Sequence, residues 1–182
     1  EGLESIIWKN KLSQETINLE PTPEVHEIQI FELELKQKQL SPDVLENIDR
    51  IIPYPILYVL LFGNEVKLVI AYKQRNQSNE DRFVVKSYFE SQWQPISKMS
   101  VDIPSGLTLQ AVYEGYVRRL LSIQSRKDEA LDATIERYIK IERLKREITR
   151  LEKKIKSEKQ FNRKVDCNIE LQQNKRELSL LK

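Results

Sequence analysis

The sequence predicts an α+β protein: a small mixed sheet packed by helices, followed by a C-terminal antiparallel coiled-coil helical hairpin. Three observations carry this. Between Glu27 and Glu90 the apolar residues fall in short alternating or β-rich runs bounded by Pro, Gly and Asn. From Ile141 onward they step by three and four instead. The charge turns over with the periodicity: residues 1–120 hold 13 Lys+Arg and 17 Asp+Glu, whereas residues 121–182 hold 17 and 11. Two independent signals changing together predict two structural parts, 1–124 and 125–182.

Leu3, Ile6, Ile7 and Leu12 recur at helical spacing, so 3–12 reads as the end of a helix. Pro21 and Pro23 exclude a regular helix or central strand around them. Over 27–35 the apolar residues sit at 28, 30, 33 and 35, and Phe31 breaks the phase, which predicts a strand with a bulge there. Ser41-Pro42-Asp43 is a strong helix start, with an N-cap hydroxyl, Pro at the first helical position and an acid in the first turn. Val44, Leu45, Ile48, Ile51 and Ile52 form its expected buried stripe, and Pro53 ends it.

Residues 56–62 are apolar and β-prone, and Gly63-Asn64 is a two-residue hairpin turn, since both residues tolerate positive φ. The return strand is 65–72, a polar loop covers 73–81, and a third strand spans 82–90. The order is strand, helix, then three-stranded meander. A strand joined through a helix to the next runs parallel to it, which makes the sheet mixed. A helix over 107–123 then places Leu109, Val112, Tyr113, Tyr116, Val117, Leu120 and Leu121 on one broad face to pack on the sheet.

In the C-terminal part Ile141, Leu144, Ile148, Leu151 and Ile155 form one seam, and Cys167, Leu171, Asn174, Leu178 and Leu181 form a second. Helices over 128–156 and 163–181, turning within 157–162, place Ile155 opposite Val165, Leu151 opposite Ile169, Ile148 opposite Leu171 and Ile141 opposite Leu178. A parallel homodimer through the first helix alone is the alternative, and it leaves the second seam uncovered.

Composition excludes several function classes. One His (His26) and one Cys (Cys167) cannot make an intramolecular disulfide or the four-ligand set of a structural zinc site. The 4 Gly form neither of the usual phosphate-cradling loops, so no cofactor is expected. The longest apolar run, 51–62, is broken by Pro53 and Pro55 and falls short of the roughly 20 residues that cross a bilayer. With no signal peptide and a lone Cys, the expected location is cytoplasmic. The chain opens on Glu1-Gly2 rather than Met, so further residues are expected upstream.

Three groups are candidates for chemistry. Glu65-Val66-Lys67 has the carboxylate-x-lysine form in which alternate strand positions put both side chains beside a metal and an activated water, as in many nucleases. That arrangement needs an acid from the neighbouring strand, and 56–62 contains none. His26 with Cys167 is a weak nucleophile pair, since Cys167 falls on the apolar seam. The third group is the hairpin end, where Lys153, Lys154, Lys156, Lys159, Arg163 and Lys164 crowd around Phe161 and Asn162. Residues 137–164 carry 12 basic and 4 acidic side chains, a density suited to phosphates or an acidic surface. A solvated helix face with a loop-closing Phe161 is the plainer reading of the same residues. Trp93 is expected in the core, and Trp8 is left open between core and interface anchor.

Three stretches carry a resemblance: Ile52-Pro-Tyr-Pro-Ile-Leu with its strand pair, Ile7-Trp8-Lys-Asn-Lys-Leu12 with Thr16-Ile17-Asn18, and Gln160-Phe-Asn-Arg-Lys-Val165 with Asn168. Together they resemble a bacterial family of unknown function encoded near helicase and DNA methyltransferase genes of restriction or phage-defence type. The resemblance covers most of the chain and implies an additional N-terminal stretch before the first match. It supplies a setting and no mechanism. The expected function is a non-enzymatic interaction module, an accessory of such a system, with a helicase- or methyltransferase-type protein as partner. Docking is expected through the basic hairpin and through a sheet edge or Trp-bearing surface. A nuclease-like enzyme using Glu65 and Lys67, and a direct nucleic-acid binder through the hairpin end, are the alternatives.

Overall fold

The structure is a computed structural model that describes residues 2–76 and 79–181, with the side chains of 75, 76 and 79–82 outside that description. The chain divides into two compact units, Glu1–Leu121 and Ser122–Lys182.

The first unit is a mixed sheet in the order β1-β2-β3-β4-β5, formed by β1 (Leu3–Leu12), β2 (Ile28–Leu35), β3 (Ile56–Phe62), β4 (Glu65–Asn76) and β5 (Asn79–Glu90). A two-residue strand, β6 (Gln94–Pro95), pairs with the start of β4. Helix α1 (Gln14–Ile17) is a single turn after β1; α2 (Pro42–Ile51) crosses from β2 to β3, and α3 (Leu109–Leu120) follows the sheet. β2 and β3 are parallel, as the intervening helix predicts, and the other pairings are antiparallel.

Residues 3–12 are an edge strand, not a helix. The register explains the misleading spacing. Bulges between Leu3 and Ser5 and between Trp8 and Asn10 each insert an extra residue, so Leu3, Ile6, Trp8 and Lys11 oppose Leu35, Leu33, Phe31 and Gln29 on one sheet face. A bulge turns a step of two into a step of three, and two such steps imitate helical periodicity. The irregularity expected at Phe31 therefore belongs to β1, and β2 itself is unbroken. Its apolar residues change phase because it is buried on both faces, with Ile28 and Leu33 fully covered.

Helix α2 begins at the predicted Pro42, with Ser41 before it and Asp43 in its first turn. Its buried residues are Leu45 and Asp49, with Ile48 and Ile52 packed against the core, while Ile51 is exposed and leaves the predicted stripe. Between β3 and β4, Gly63 takes φ +56° and Asn64 does not take a positive φ, so only the first turn residue uses glycine's freedom. The expected polar loop over 73–81 is largely strand: β4 runs on to Asn76 and β5 starts at Asn79, with residues 77–78 outside the described residues. Backbone pairing there needs no apolar alternation, so the polar sequence concealed it. Thr108 Oγ1 accepts the Ala111 N–H and caps α3, whose buried face is Leu109, Val112, Tyr113, Tyr116 and Val117. Leu107 lies before the cap and is exposed.

The second unit is an antiparallel helical hairpin of α4 (Leu131–Ser157) and α5 (Phe161–Leu181). Ile148, Leu151, Cys167 and Leu171 form its buried seam, flanked by Ile155 and Leu178. Val165 and Ile169 are exposed, so the expected pairing of Ile155 with Val165 and Leu151 with Ile169 is displaced onto Cys167 and Leu171. Cys167 is a small apolar seam residue and is buried.

Candidate functional site

The hairpin end is built from two local stop signals. At the C-terminus of α4 the Ser157 hydroxyl donates to the Lys153 and Lys154 carbonyls at 3.3 and 3.2 Å, competing with continuation of the helix. Glu158 then leaves helical geometry with ψ 128°. Its carboxylate accepts the Gln160 N–H at 2.9 Å, which holds the reversal, and α5 starts at Phe161. That hydrogen bond also holds the Glu158 carboxyl below its ordinary value, helped by the Lys159 N–H and the charges of Arg163 and Lys154.

Around this turn Lys153, Lys154, Lys156, Lys159, Arg163 and Lys164 are all exposed. Among the described residues no carboxylate lies within 4.0 Å of any of their charged ends. The hairpin shaft is mixed: among its described cations Arg143, Arg146 and Arg176 also lack a carboxylate within 4.0 Å, and others are paired. There Lys140 pairs with Glu177 at 2.6 Å, Lys175 with Glu152 at 2.8 Å, Lys145 with Glu142 at 2.7 Å and Arg150 with Glu147. Phe161, expected either as a tip contact or as a loop-closing residue, is 76% exposed and closes nothing. Asn162 beside it is exposed as well. The predicted site residues thus lie on either side of one turn, exposed and, among the described residues, without a carboxylate within 4.0 Å, with exposed Phe161 at the first position of α5.

Glu65 and Lys67 do lie on the same face of β4, and each is engaged elsewhere. Glu65 pairs with Lys38, and Lys67 Nζ pairs with Glu90 of β5 at 2.7 Å. Among the described residues no group of three or more His, Cys, Asp and Glu side chains is placed to hold a metal ion. His26 is exposed in the loop before β2. Trp93 packs against the core cluster of the sheet, whereas Trp8 is 60% exposed on the edge strand, held by its indole N–H donating to Gln29 Oε1 at 2.7 Å.

A charged cluster inside the sheet unit escaped the sequence reading. Asp49 of α2 and Lys73 of β4 face each other with side-chain exposures of 0% and 1%, and Nζ lies 2.9 Å from Oδ1. Lys73 Nζ also donates to the carbonyls of Ile52 at 2.7 Å and Tyr54 at 2.8 Å, at the end of α2 and just beyond it. Tyr88 donates to Asp49 Oδ2 at 2.7 Å. Burial pushes the Lys73 ammonium below its ordinary value, and Asp49 works against that shift. Burial and the Asp49 charge push the Tyr58 and Tyr88 phenols upward. The Tyr58 hydroxyl is buried without a hydrogen-bond partner. A cleft of about 400 Å³ lined by Glu46, Asp49, Arg50, Lys86, Ser87 and Tyr88 opens beside the pair. Chemically the cluster is a lock: the lysine's three protons face the carbonyls of Asp49, Ile52 and Tyr54, with the Asp49 carboxylate at ion-pair distance, leaving none for a substrate. The signal for it was present in the sequence. Asp49 shares the buried stripe of α2, and a charge at such a position requires a partner.

Among the described residues no helix is long and apolar enough to cross a membrane. No curated protein and no solved structure matches this chain. The model of one family, described as a domain of unknown function (DUF4391), matches residues 1–178, and the chain belongs to that family.

Proposed function

We propose that this chain is a non-catalytic interaction module that docks on a polyanionic partner through the end of its helical hairpin. The observation that supports this reading is the set of six exposed cations without a carboxylate partner among the described residues, crowded around the α4–α5 turn, beside a shaft in which Lys140, Lys145, Arg150 and Lys175 are paired and Arg143, Arg146 and Arg176 are not. Glu158, Glu147 and Glu152 act on some of these cations at longer range, but six cations outnumber the acids around the turn and keep an attraction for an outside anion. The coiled-coil hairpin is the docking element in this proposal. The sheet unit adds a second surface at its β1 edge, where Ile6, Ile7 and Trp8 are exposed.

The setting belongs to the proposal too: an accessory of a bacterial helicase- and methyltransferase-associated DNA-processing or phage-defence system, acting in the cytoplasm. The test is a variant with Lys153, Lys154, Lys159, Arg163 and Lys164 changed to Glu, compared with the parent for retention on a sulfated-polysaccharide column and for co-purification with helicase- or methyltransferase-type proteins. The expected result is loss of both, with an unchanged thermal melt, since exposed unpaired side chains contribute little to folding. Retention equal to that of the parent leaves the cations as a solvated surface and removes the proposal.

A further inference from the structure

We infer that the polyanion bound at the hairpin end is single-stranded nucleic acid, with Phe161 as a stacking platform for a base and the surrounding cations as phosphate contacts. This deepens the docking reading and rests on it. Three features of the turn select this occupant over an acidic protein surface or a duplex.

The first is the ring itself. Phe161 is 76% exposed at the first position of α5, and its chain neighbours Gln160 and Asn162 are exposed amides. An aromatic face left open to water between hydrogen-bonding side chains matches a nucleobase, which offers a π-face and polar edges together. In a duplex the base faces are already stacked on one another, so the ring has nothing to gain there.

The second is the direction of the charge. Lys154 and Lys156 lie on the last turn of α4 and Lys153 just before it, and successive residues of the helix rotate by about 100°. Lys153 and Lys156, three positions apart, share one face, and Lys154 turns about 100° away from Lys153, so the charge spreads beyond a single stripe. Lys159, Arg163 and Lys164 continue this spread across the turn onto α5. A rigid acidic face meets such a spread on one side only. A flexible phosphodiester strand bends around it and reaches both helices.

The third is the state of the charge. Glu158, the acid within the turn, is committed to the Gln160 N–H and to the reversal of the chain. Its charge still acts on Arg163 and Lys154, but one acid against six cations leaves the turn strongly positive toward an incoming phosphate. Each phosphate neutralised releases counterions, which makes affinity fall with salt by about 0.7 log units per log unit of salt for each contact on a single strand.

The experiment uses the full chain and fluorescein-labelled oligothymidylate of about 15 nucleotides, read by fluorescence anisotropy between about 50 and 200 mM salt. A duplex of the same length and a polyglutamate peptide are the competitors. The expected result is a preference for the single strand, with a steep salt dependence. Phe161→Ala weakens single-strand binding about five- to a hundredfold, Phe161→Trp preserves it, and duplex binding ignores both changes. Circular dichroism melts of the two variants match the parent because the ring is exposed. Single-strand affinity unaffected by Phe161→Ala, or tighter binding of duplex or polyglutamate, overturns this inference while leaving the docking reading in place. Unchanged binding of every polyanion by the five-site Glu variant removes the docking reading itself.

Discussion

In the sheet unit a buried lysine and a buried aspartate meet in the middle of the core; in the hairpin an arginine and a glutamate meet where the two helices begin and end. The Asp49–Lys73 pair is almost sealed from solvent and is surrounded by Ile52, Tyr54, Tyr58 and Tyr88. It fixes the end of α2 onto β4. Arg137 binds Glu129 through two nitrogens at 2.9 and 2.7 Å, and also donates to the carbonyls of Gln124 at 2.7 Å and Leu181 at 3.2 Å. It ties the start of α4 to the end of α5. The sheet unit buries apolar side chains on both faces, so its ion pair positions a helix within an existing core. The hairpin has a single seam, and its open end is closed by polar contacts. Ion pairs of similar chemistry thus do different work according to how much apolar cover surrounds them.

The contrast breaks most visibly at Asp49. Asp49→Ala removes the buried carboxylate that offsets the desolvation of Lys73, and removing one partner of a buried pair costs about 3–5 kcal/mol. Urea unfolding followed by Trp8 and Trp93 fluorescence reads this directly, since both tryptophans of the chain lie in the sheet unit. The double change Asp49→Leu with Lys73→Met is expected to recover most of the loss. A cost below about 1 kcal/mol for Asp49→Ala means that the pair is solvated and the comparison fails.

The hairpin pair is expected to respond to acid. Hydrogen bonds from Arg137 and the Arg126 N–H hold the Glu129 carboxyl down at about 2, from an ordinary 4.5. A depressed carboxyl contributes its stability fully above the ordinary value and loses it as pH falls toward the folded value. The helical melt seen by far-ultraviolet circular dichroism should therefore drop between pH 4.5 and about 2. Glu129→Gln should flatten much of that fall. The remaining slope belongs to Glu147, Glu152 and Glu158, whose carboxyls are also held low, by Arg150, by Lys175 and by the Gln160 N–H. An unchanged slope in Glu129→Gln assigns the acid response to those three instead.

The smallest expected effect sharpens the seam. Ile169 is 54% exposed, so Ile169→Gln should change hairpin stability by no more than about 0.5 kcal/mol. Leu171→Ala in the same helix should cost about 2–5 kcal/mol, because Leu171 is in the buried seam. Equal costs for the two substitutions restore the pairing of Leu151 with Ile169 that counting across the turn suggested and contradict the observed one.

The residues of the hairpin end were legible from sequence because charge density and chain reversal are local properties. A run of six cations around a turn is visible in the order of residues alone, and so are the two helices on either side. The local chain also determined α2, through Ser41-Pro42-Asp43 and Pro53, the 63–64 turn, and the parallel β2–β3 crossover. Other features were settled between distant segments. The bulges of β1 exist only against β2, and they gave an edge strand the spacing of a helix. Strand pairing through residues written in polar code came from backbone hydrogen bonds, which side-chain periodicity does not report. The step pattern placed Cys167, Leu171 and Leu178 on the seam of α5, but counting back from the turn set Val165 and Ile169 opposite α4, and only packing fixed which residues of the two helices meet. The union of Asp49 with Lys73, 24 residues apart, required α2 to be laid across β4. Sequence determines which groups cannot stay buried alone; the tertiary structure decides which partner reaches them, because that choice depends on the relative placement of whole elements.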